Sequence, residues 1–188
     1  MVNVAVIGAG FMGRTHVTAY KAMPNAKVTA VCDLNEKQGK DLAEFAGCDW
    51  YNDGESMLNT VDIDVVDICL PTFLHEQYVL LAAGHKKHVI CEKPVTLSLE
   101  SLDRMIAATK EAGVQFAVGQ VVRFWPEYVR PRKWQKQGNW ERLSMPVPAA
   151  FRSIPPGASG IAVPKTAAEA CSICTCMILI ICATCSAR

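Results

Sequence analysis

The chain has 188 residues, of which 51% are hydrophobic and 20% are charged, and its formal net charge is +1. These values exclude a disordered chain, a collagen-like repeat and a basic nucleic-acid-binding arm, and they suit one substantial core with an appendage. No apolar run reaches the roughly 18 residues of a membrane span, and the first residues lack the charged segment of a signal peptide. We therefore expect a cytoplasmic protein without nucleic-acid or membrane partners.

Composition divides the chain near Arg130. Residues 1–130 contain 12 Lys and Arg against 16 Asp and Glu, a net charge of −4, whereas residues 131–188 contain 7 against 2, a net charge of +5. Six of the ten prolines and five of the nine cysteines also follow Arg130. We therefore expect a folded domain over 1–130 and an atypical tail over 131–188.

Predicted strands and helices alternate through the first segment. Short apolar runs predict strands at Val2–Ile7, Lys27–Cys32, Val65–Leu70, Lys87–Cys91 and Val114–Val122. Helical spacing predicts helices from the turn after Ile7 to Met23, over Glu36–Phe45, over Leu74–Ala83 and over Ser98–Ala112, with Ser98 as N-cap. This alternation predicts an α/β fold with a doubly wound parallel sheet, the Rossmann fold, in which ligands bind at the carboxyl ends of the strands.

The turn after the first strand carries glycines at Gly8, Gly10 and Gly13. A pyrophosphate on a helix N-terminus needs free backbone N–H groups and no side chains in the way. Asp33 ends the second strand twenty residues beyond the last glycine, where its carboxylate would bind ribose hydroxyls and repel a 2′-phosphate. The spacing predicts a dinucleotide site that prefers NAD over NADP, a preference that Lys37 would soften. The alternative is that the glycines serve only a tight turn and Asp33 caps the next helix.

Two further motifs follow later strands, Pro71-Thr72-Phe73-Leu74-His75 and Cys91-Glu92-Lys93-Pro94. With these motifs and the glycine turn, the chain from Val2 to about Arg130 resembles the N-terminal NAD(P)-binding domain of the Gfo/Idh/MocA family of sugar and inositol dehydrogenases. The resemblance implies an oxidoreductase that transfers hydride between a nicotinamide cofactor and a secondary alcohol of a sugar, inositol or related polyol.

The resemblance also implies where the cofactor would lie. The backbone of Phe11 and Met12 would line its pyrophosphate, and Glu92 would hold the nicotinamide ribose. The ribose and nicotinamide side would be bordered by three residues of the first motif, Pro71, Thr72 and His75.

Lys93 is the catalytic residue that the resemblance implies. Its ammonium would reach the substrate hydroxyl, stabilise the alkoxide as hydride departs, and serve in proton transfer. Pro94 is typically cis in this family. Among the histidines, His16 is expected to be a packed helix residue, and His85 and His88 lack the spacing of metal ligands, so no metal site is predicted.

The tail does not resemble the second, α+β domain that carries substrate specificity, the catalytic histidine and aspartate, and the oligomer interface in this family. Read one base upstream, its codons can spell sequence that looks like that domain from Pro131 to the end. We therefore expect a frame change near the Arg130 codon. It would leave a truncated chain that retains nucleotide binding and lacks the family's polyol-binding domain and oligomer interface.

A second hypothesis is a stand-alone nucleotide-sensing or interaction module with a cysteine-rich tail. Two C-x2-C pairs, Cys171 with Cys174 and Cys182 with Cys185, resemble a metal-binding pattern. The seven residues between the pairs are fewer than zinc sites usually have.

Overall fold

The computed structural model describes residues 1–125, and the predicted tail over 131–188 lies outside them. Six strands form one sheet in this part of the chain: β1 (Val2–Ile7), β2 (Ala26–Cys32), β3 (Asp49–Tyr51), β4 (Val65–Ile68), β5 (His88–Cys91) and β6 (Phe116–Val118). Every neighbouring pair is parallel, and the order is β3-β2-β1-β4-β5-β6. The order changes direction between β1 and β4, which confirms the predicted doubly wound sheet.

Helices connect the strands: α1 (Phe11–Lys21), α2 (Glu36–Ala46), α3 (Gly54–Thr60), α4 (Thr72–Gly84) and α5 (Leu99–Glu111), followed after β6 by a 3₁₀ helix at Val121–Phe124. Side-chain caps fix several of their starts. The Ser98 hydroxyl accepts a hydrogen bond from the Ser101 N–H at 3.2 Å, which confirms the predicted N-cap of α5. No helix within residues 1–125 is both long enough and apolar enough to span a membrane.

The alternating side chains of β1 belong to two separate cores. Val4 and Val6 pack with buried side chains of α1 and α2, whereas Ala5 and Ile7 pack with those of α3, α4 and α5. Both faces of the sheet are therefore covered, which explains why its central strands are apolar at almost every position. The polar residues of the motifs identified in the sequence follow the carboxyl ends of these strands.

Two parts of the sheet differ from the sequence-based expectation. The chain between the predicted second and third strands forms β3 and α3, where neither element was predicted. The last strand is shorter than predicted, because the Gln120 N–H donates to the Val118 carbonyl and the Val121 N–H donates to that of Gly119. These local bonds turn the backbone away from the sheet after Val118.

Candidate functional site

The turn between β1 and α1 requires glycine at two of its three glycine positions. Gly8 has a φ of +105°, and a β-carbon there would lie 2.6 Å from the carbonyl oxygen of Cys69. A β-carbon at Gly13 would overlap the carbonyl oxygen of Gly8. The first and third glycines are therefore required by the path of the backbone itself.

Gly10 differs from its neighbours because the fold does not require it. Its φ is −72°, and a β-carbon there would have no neighbouring atom of residues 1–125 within 4 Å. Gly10 is the N-cap of α1 and provides no side-chain cap, and the first turn of the helix contains no acidic residue. The start of α1 thus combines unobstructed space at Gly10 with the positive end of the helix dipole, an arrangement suited to an anion.

Two other predicted residues belong to this first turn of α1. Phe11 is 64% exposed and Met12 is half-buried. Their backbone N–H groups are among the four at the start of a helix that have no intrahelical acceptor. The structure thus brings the glycine turn, Phe11 and Met12 to one end of α1.

Asp33 joins the end of β2 to the glycine turn. One carboxylate oxygen accepts a hydrogen bond from the Ala9 N–H at 2.6 Å, and the other accepts one from the Asn35 N–H at 2.7 Å. Asn35, not Asp33, is the N-cap of α2, and its side chain accepts from the Gln38 N–H. The simple capping alternative for Asp33 is therefore wrong, and its carboxylate lies beside the glycine turn.

The Pro71-Thr72 motif starts α4 at the same edge of the sheet. Pro71 is exposed and precedes the helix, and Thr72 is its first residue. His75 is only 1% exposed, with Nε2 2.8 Å from the Leu70 carbonyl and Nδ1 3.2 Å from the Val95 carbonyl. The ring therefore braces the loops after β4 and β5, and its predicted position beside a cofactor stays a prediction.

Glu92 and Lys93 follow β5 and have opposite environments. Glu92 is 5% exposed, whereas Lys93 is exposed to solvent, and the Lys93–Pro94 peptide is cis, as the resemblance implied. Glu92 Oε2 accepts a hydrogen bond from the Lys93 N–H at 3.1 Å. Its Oε1 lacks a hydrogen bond to any residue in the described part of the chain. A β-carbon at Gly119 would lie 2.9 Å from that oxygen, so the glycine leaves room for it.

A buried polar cluster behind Glu92 was not predicted from the sequence. His16 Nδ1 lies 2.8 Å from Asp67 Oδ2, which also accepts a hydrogen bond from the Tyr20 hydroxyl at 2.8 Å. His16 Nε2 lies 3.2 Å from Glu92 Oε1. The available signal was Asp67 itself, an acidic residue in an otherwise apolar buried strand. The expectation that His16 is packed within its helix is confirmed, and its partners come from two other elements.

Burial keeps the Tyr20 hydroxyl and the Cys69 thiol of this cluster protonated. Burial and the negative charge of Asp67 raise the pKa of the Tyr20 hydroxyl well above its ordinary value. The same two causes raise the pKa of the Cys69 thiol to about 12. The Cys69 thiol lies 3.7 Å from Asp67 Oδ1 and can donate to it. Tyr20 and Cys69 therefore act as hydrogen-bond donors to Asp67 at neutral pH.

His16, Asp67 and Cys69 also bring three potential metal ligands within 4.8 Å of one another. Their spacing fits hydrogen bonds better than coordination. The 2.8 Å between His16 Nδ1 and Asp67 Oδ2 is shorter than the separation of about 3.3 Å between nitrogen and oxygen ligands of a tetrahedral zinc ion.

Comparison with known proteins identifies the family. Residues 2–120 match the model of the Gfo/Idh/MocA family, described as an oxidoreductase family with an NAD-binding Rossmann fold. The chain belongs to this Gfo/Idh/MocA family. The resemblance drawn from the sequence motifs is thereby confirmed.

Relatives within the Gfo/Idh/MocA family carry different activities. The chain is 35% identical over 138 residues to 2,7-anhydro-N-acetylneuraminate hydratase of Escherichia coli, covering 73% of this chain and 37% of the relative. It is also 35% identical over 123 residues to myo-inositol 2-dehydrogenase of Thermotoga maritima, covering 65% of this chain and 37% of the relative. Equal identity to a hydratase and a dehydrogenase does not by itself select a reaction.

A solved structure of levoglucosan dehydrogenase in complex with NADH and L-sorbose shares this fold. Its TM-score to the chain is 0.68 at 31% identity, and the match covers 73% of this chain and 39% of that one. The chain thus spans about two fifths of the length of the proteins that it matches. The region of this chain that matches the family, residues 2–120, contains the glycine turn, Asp33, Glu92 and Lys93.

Proposed function

We propose that the chain binds NAD at the carboxyl edge of its sheet and is the cofactor-binding part of a dehydrogenase acting on a secondary alcohol of a sugar, inositol or related polyol. The observation that carries the proposal is the start of α1. Gly10 provides neither a side-chain cap nor any steric obstacle there, and no acidic residue occupies the first turn. A dinucleotide pyrophosphate would accept hydrogen bonds from the free N–H groups of Phe11 and Met12.

Asp33 supports NAD over NADP as the cofactor. Its carboxylate lies beside the glycine turn and accepts hydrogen bonds from two backbone N–H groups, which fix its position. A carboxylate at this place would bind the hydroxyls of an adenosine ribose and repel a 2′-phosphate. Lys37 is exposed in the first turn of α2 and would reduce the repulsion without removing it.

Glu92 would contact the nicotinamide ribose. Its Oε1 is buried and still has acceptor capacity, and a buried polar atom normally has a partner. A ribose hydroxyl is a donor of the required kind. Pro71 and Thr72 follow the neighbouring strand β4 and would border the same side of the cofactor.

Lys93 would act on the substrate. The bound nicotinamide would supply a hydride acceptor or donor, and the Lys93 ammonium would stabilise the oxygen of the reacting alcohol and move its proton. Lys93 is exposed, and such chemistry is most effective where water is excluded. We therefore propose that this chain retains nucleotide binding and turns over little polyol.

The division of the chain into a dinucleotide-binding domain over 1–130 and an atypical tail over 131–188 is part of the same proposal. The family match, which ends at residue 120, supports it.

Titration of the 188-residue chain with NADH, followed by the enhancement of nicotinamide fluorescence, tests the proposal. We expect saturable binding of NADH and binding of NADPH weaker by about tenfold. Glu55→Gln, on the exposed surface of α3, is a control that should leave both affinities unchanged. Equal affinities for the two cofactors would contradict the role of Asp33, and absence of any binding would refute the proposed function.

A further inference from the structure

The orientation of the His16 ring is determined by Asp67. Three donors converge on this carboxylate: the Tyr20 hydroxyl at 2.8 Å and His16 Nδ1 at 2.8 Å on Oδ2, and the Cys69 thiol at 3.7 Å on Oδ1. Asp67 is fully buried in β4, where an ionised carboxylate needs such donors to be stable. The arrangement therefore assigns a proton to His16 Nδ1, directed at Asp67.

The opposite ring nitrogen faces Glu92. His16 Nε2 lies 3.2 Å from Glu92 Oε1, and both side chains are about 95% buried. The distance is that of an ion-pair contact, although no hydrogen bond within the described part of the chain reaches Oε1. The His16 ring therefore lies between two carboxyl groups, with Asp67 at Nδ1 and Glu92 at Nε2.

We propose that His16 is a positioning residue for dinucleotide binding: anchored on Asp67 through Nδ1, it fixes the place of the Glu92 carboxyl group through the contact at Nε2. The inference rests on the proposed function, since it assigns Glu92 to the cofactor. His16 itself is behind Glu92 and would not touch the nicotinamide ribose. His16 would therefore affect cofactor binding through the carboxyl group of Glu92.

The groups that face His16 come from three elements. Tyr20 lies on α1 with His16, Asp67 lies in β4, Cys69 directly follows β4, and Glu92 follows β5. Tyr20 and Cys69 have raised pKa values and do not titrate near neutrality.

Replacing His16 by glutamine or by asparagine distinguishes the contact at Nε2 from the contact at Nδ1. The amide of His16→Gln can reach the position of Nε2 and keep a donor near Glu92, whereas the shorter amide of His16→Asn can reach only the position of Nδ1. We expect NADH affinity to fall about tenfold or more in H16N and to be partly rescued in H16Q. Equal NADH affinity of H16N and the wild-type chain would overturn the proposal.

Tyr20→Phe is the matched control. It removes another hydrogen bond to Asp67 and keeps nearly the same packing volume, but it leaves the His16–Glu92 contact in place. We expect a lower melting temperature with unchanged NADH affinity. An equal loss of NADH affinity in Y20F and H16N would mean that His16 acts only through stability of the fold, and would refute a positioning role.

A measurement without cofactor separates this inference from the proposed function. In ¹⁵N NMR of the full chain, the His16 ring should carry a proton on Nδ1, and Asp67→Asn should change that state. A wild-type chain that binds no NADH would refute both proposals. Normal NADH binding with no proton on Nδ1 would refute the inference alone.

Discussion

The carbonyl oxygen of Gly8 occupies the space that a side chain at Gly13 would need. A β-carbon at Gly13 would overlap this oxygen, whereas one at Gly10 would meet no atom of residues 1–125 within 4 Å. The same turn thus contains a glycine that the fold requires and a glycine that only a ligand would require. This difference allows the two demands to be tested separately.

Alanine substitutions at these two glycines should have opposite effects on fold and ligand. Gly13→Ala should destabilise the fold by about 3 kcal/mol, because backbone must move to admit the methyl group. Gly10→Ala should leave the melting temperature nearly unchanged and weaken NADH binding at least about tenfold, since its methyl group would stand where we place the pyrophosphate. Thermal denaturation and NADH titration measure the two effects. Unchanged NADH affinity in G10A would exclude the start of α1 as the phosphate site.

Asp33→Asn should change cofactor preference more than stability. The amide retains one acceptor for the neighbouring N–H groups but loses the charge that repels a 2′-phosphate. We expect the ratio of NADH to NADPH affinity to fall about tenfold in parallel titrations. The control is Asp53→Asn, which alters an exposed N-cap carboxylate on α3 that accepts from the Ser56 N–H at 2.7 Å. If the ratio of NADH to NADPH affinity fell in both variants, the net charge of the protein would explain the change, and the position of Asp33 would not.

The buried thiols predict a loss of stability at alkaline pH. Burial raises the pKa of Cys32 to about 12, and burial also raises that of Cys91. The native state then binds more protons than the unfolded chain between pH 9, the ordinary thiol value, and about 12, so stability falls as pH rises through this range. Urea midpoints at pH 7.5 and 10 should show a smaller difference in Cys32→Ala than in the wild-type chain. An identical difference would mean that Cys32 does not contribute.

The nucleotide sequence from codon 125 to codon 188 tests the proposed origin of the tail. We expect the gene to encode, one base upstream of the present frame, a segment that resembles the family's second domain. The segment should include a histidine and aspartate at the codons for 171–187. A tail that aligns with relatives in the present frame would contradict this hypothesis.

Local rules predicted much of the fold. The apolar runs of β1, β2, β4 and β5 and the Ser98 cap are short-range signals, and the structure confirms them. The edge strand β3 has three residues and, within residues 1–125, pairs with β2 alone, so its sequence shows neither alternation nor a long apolar run. The helix α3 has seven residues, and its strongest signal is the single N-cap Asp53. Such short elements depend on tertiary packing more than on their own sequence.

The candidate site was also predicted only in part from the sequence. The glycine turn, Asp33 and Glu92 lie in motifs whose spacing indicates their place in the sheet. The contact between His16 and Asp67 joins residues 51 positions apart, and no local pattern specifies it. It could be found only after the sheet had placed β4 beside β1, over which α1 returns.

The spacing of residues along α1 limits how the cofactor preference of this protein can be altered by exchanging its phosphate-binding loop. Gly10 at its start and His16, six residues and about 1.7 turns later, belong to the same helix; Gly10 borders the proposed phosphate site and His16 supports Glu92. Inserting or deleting one residue between them would rotate His16 by about 100° away from Glu92. A transplanted phosphate-binding loop must therefore preserve the helical phase, or it will disturb the opposite end of the dinucleotide as well.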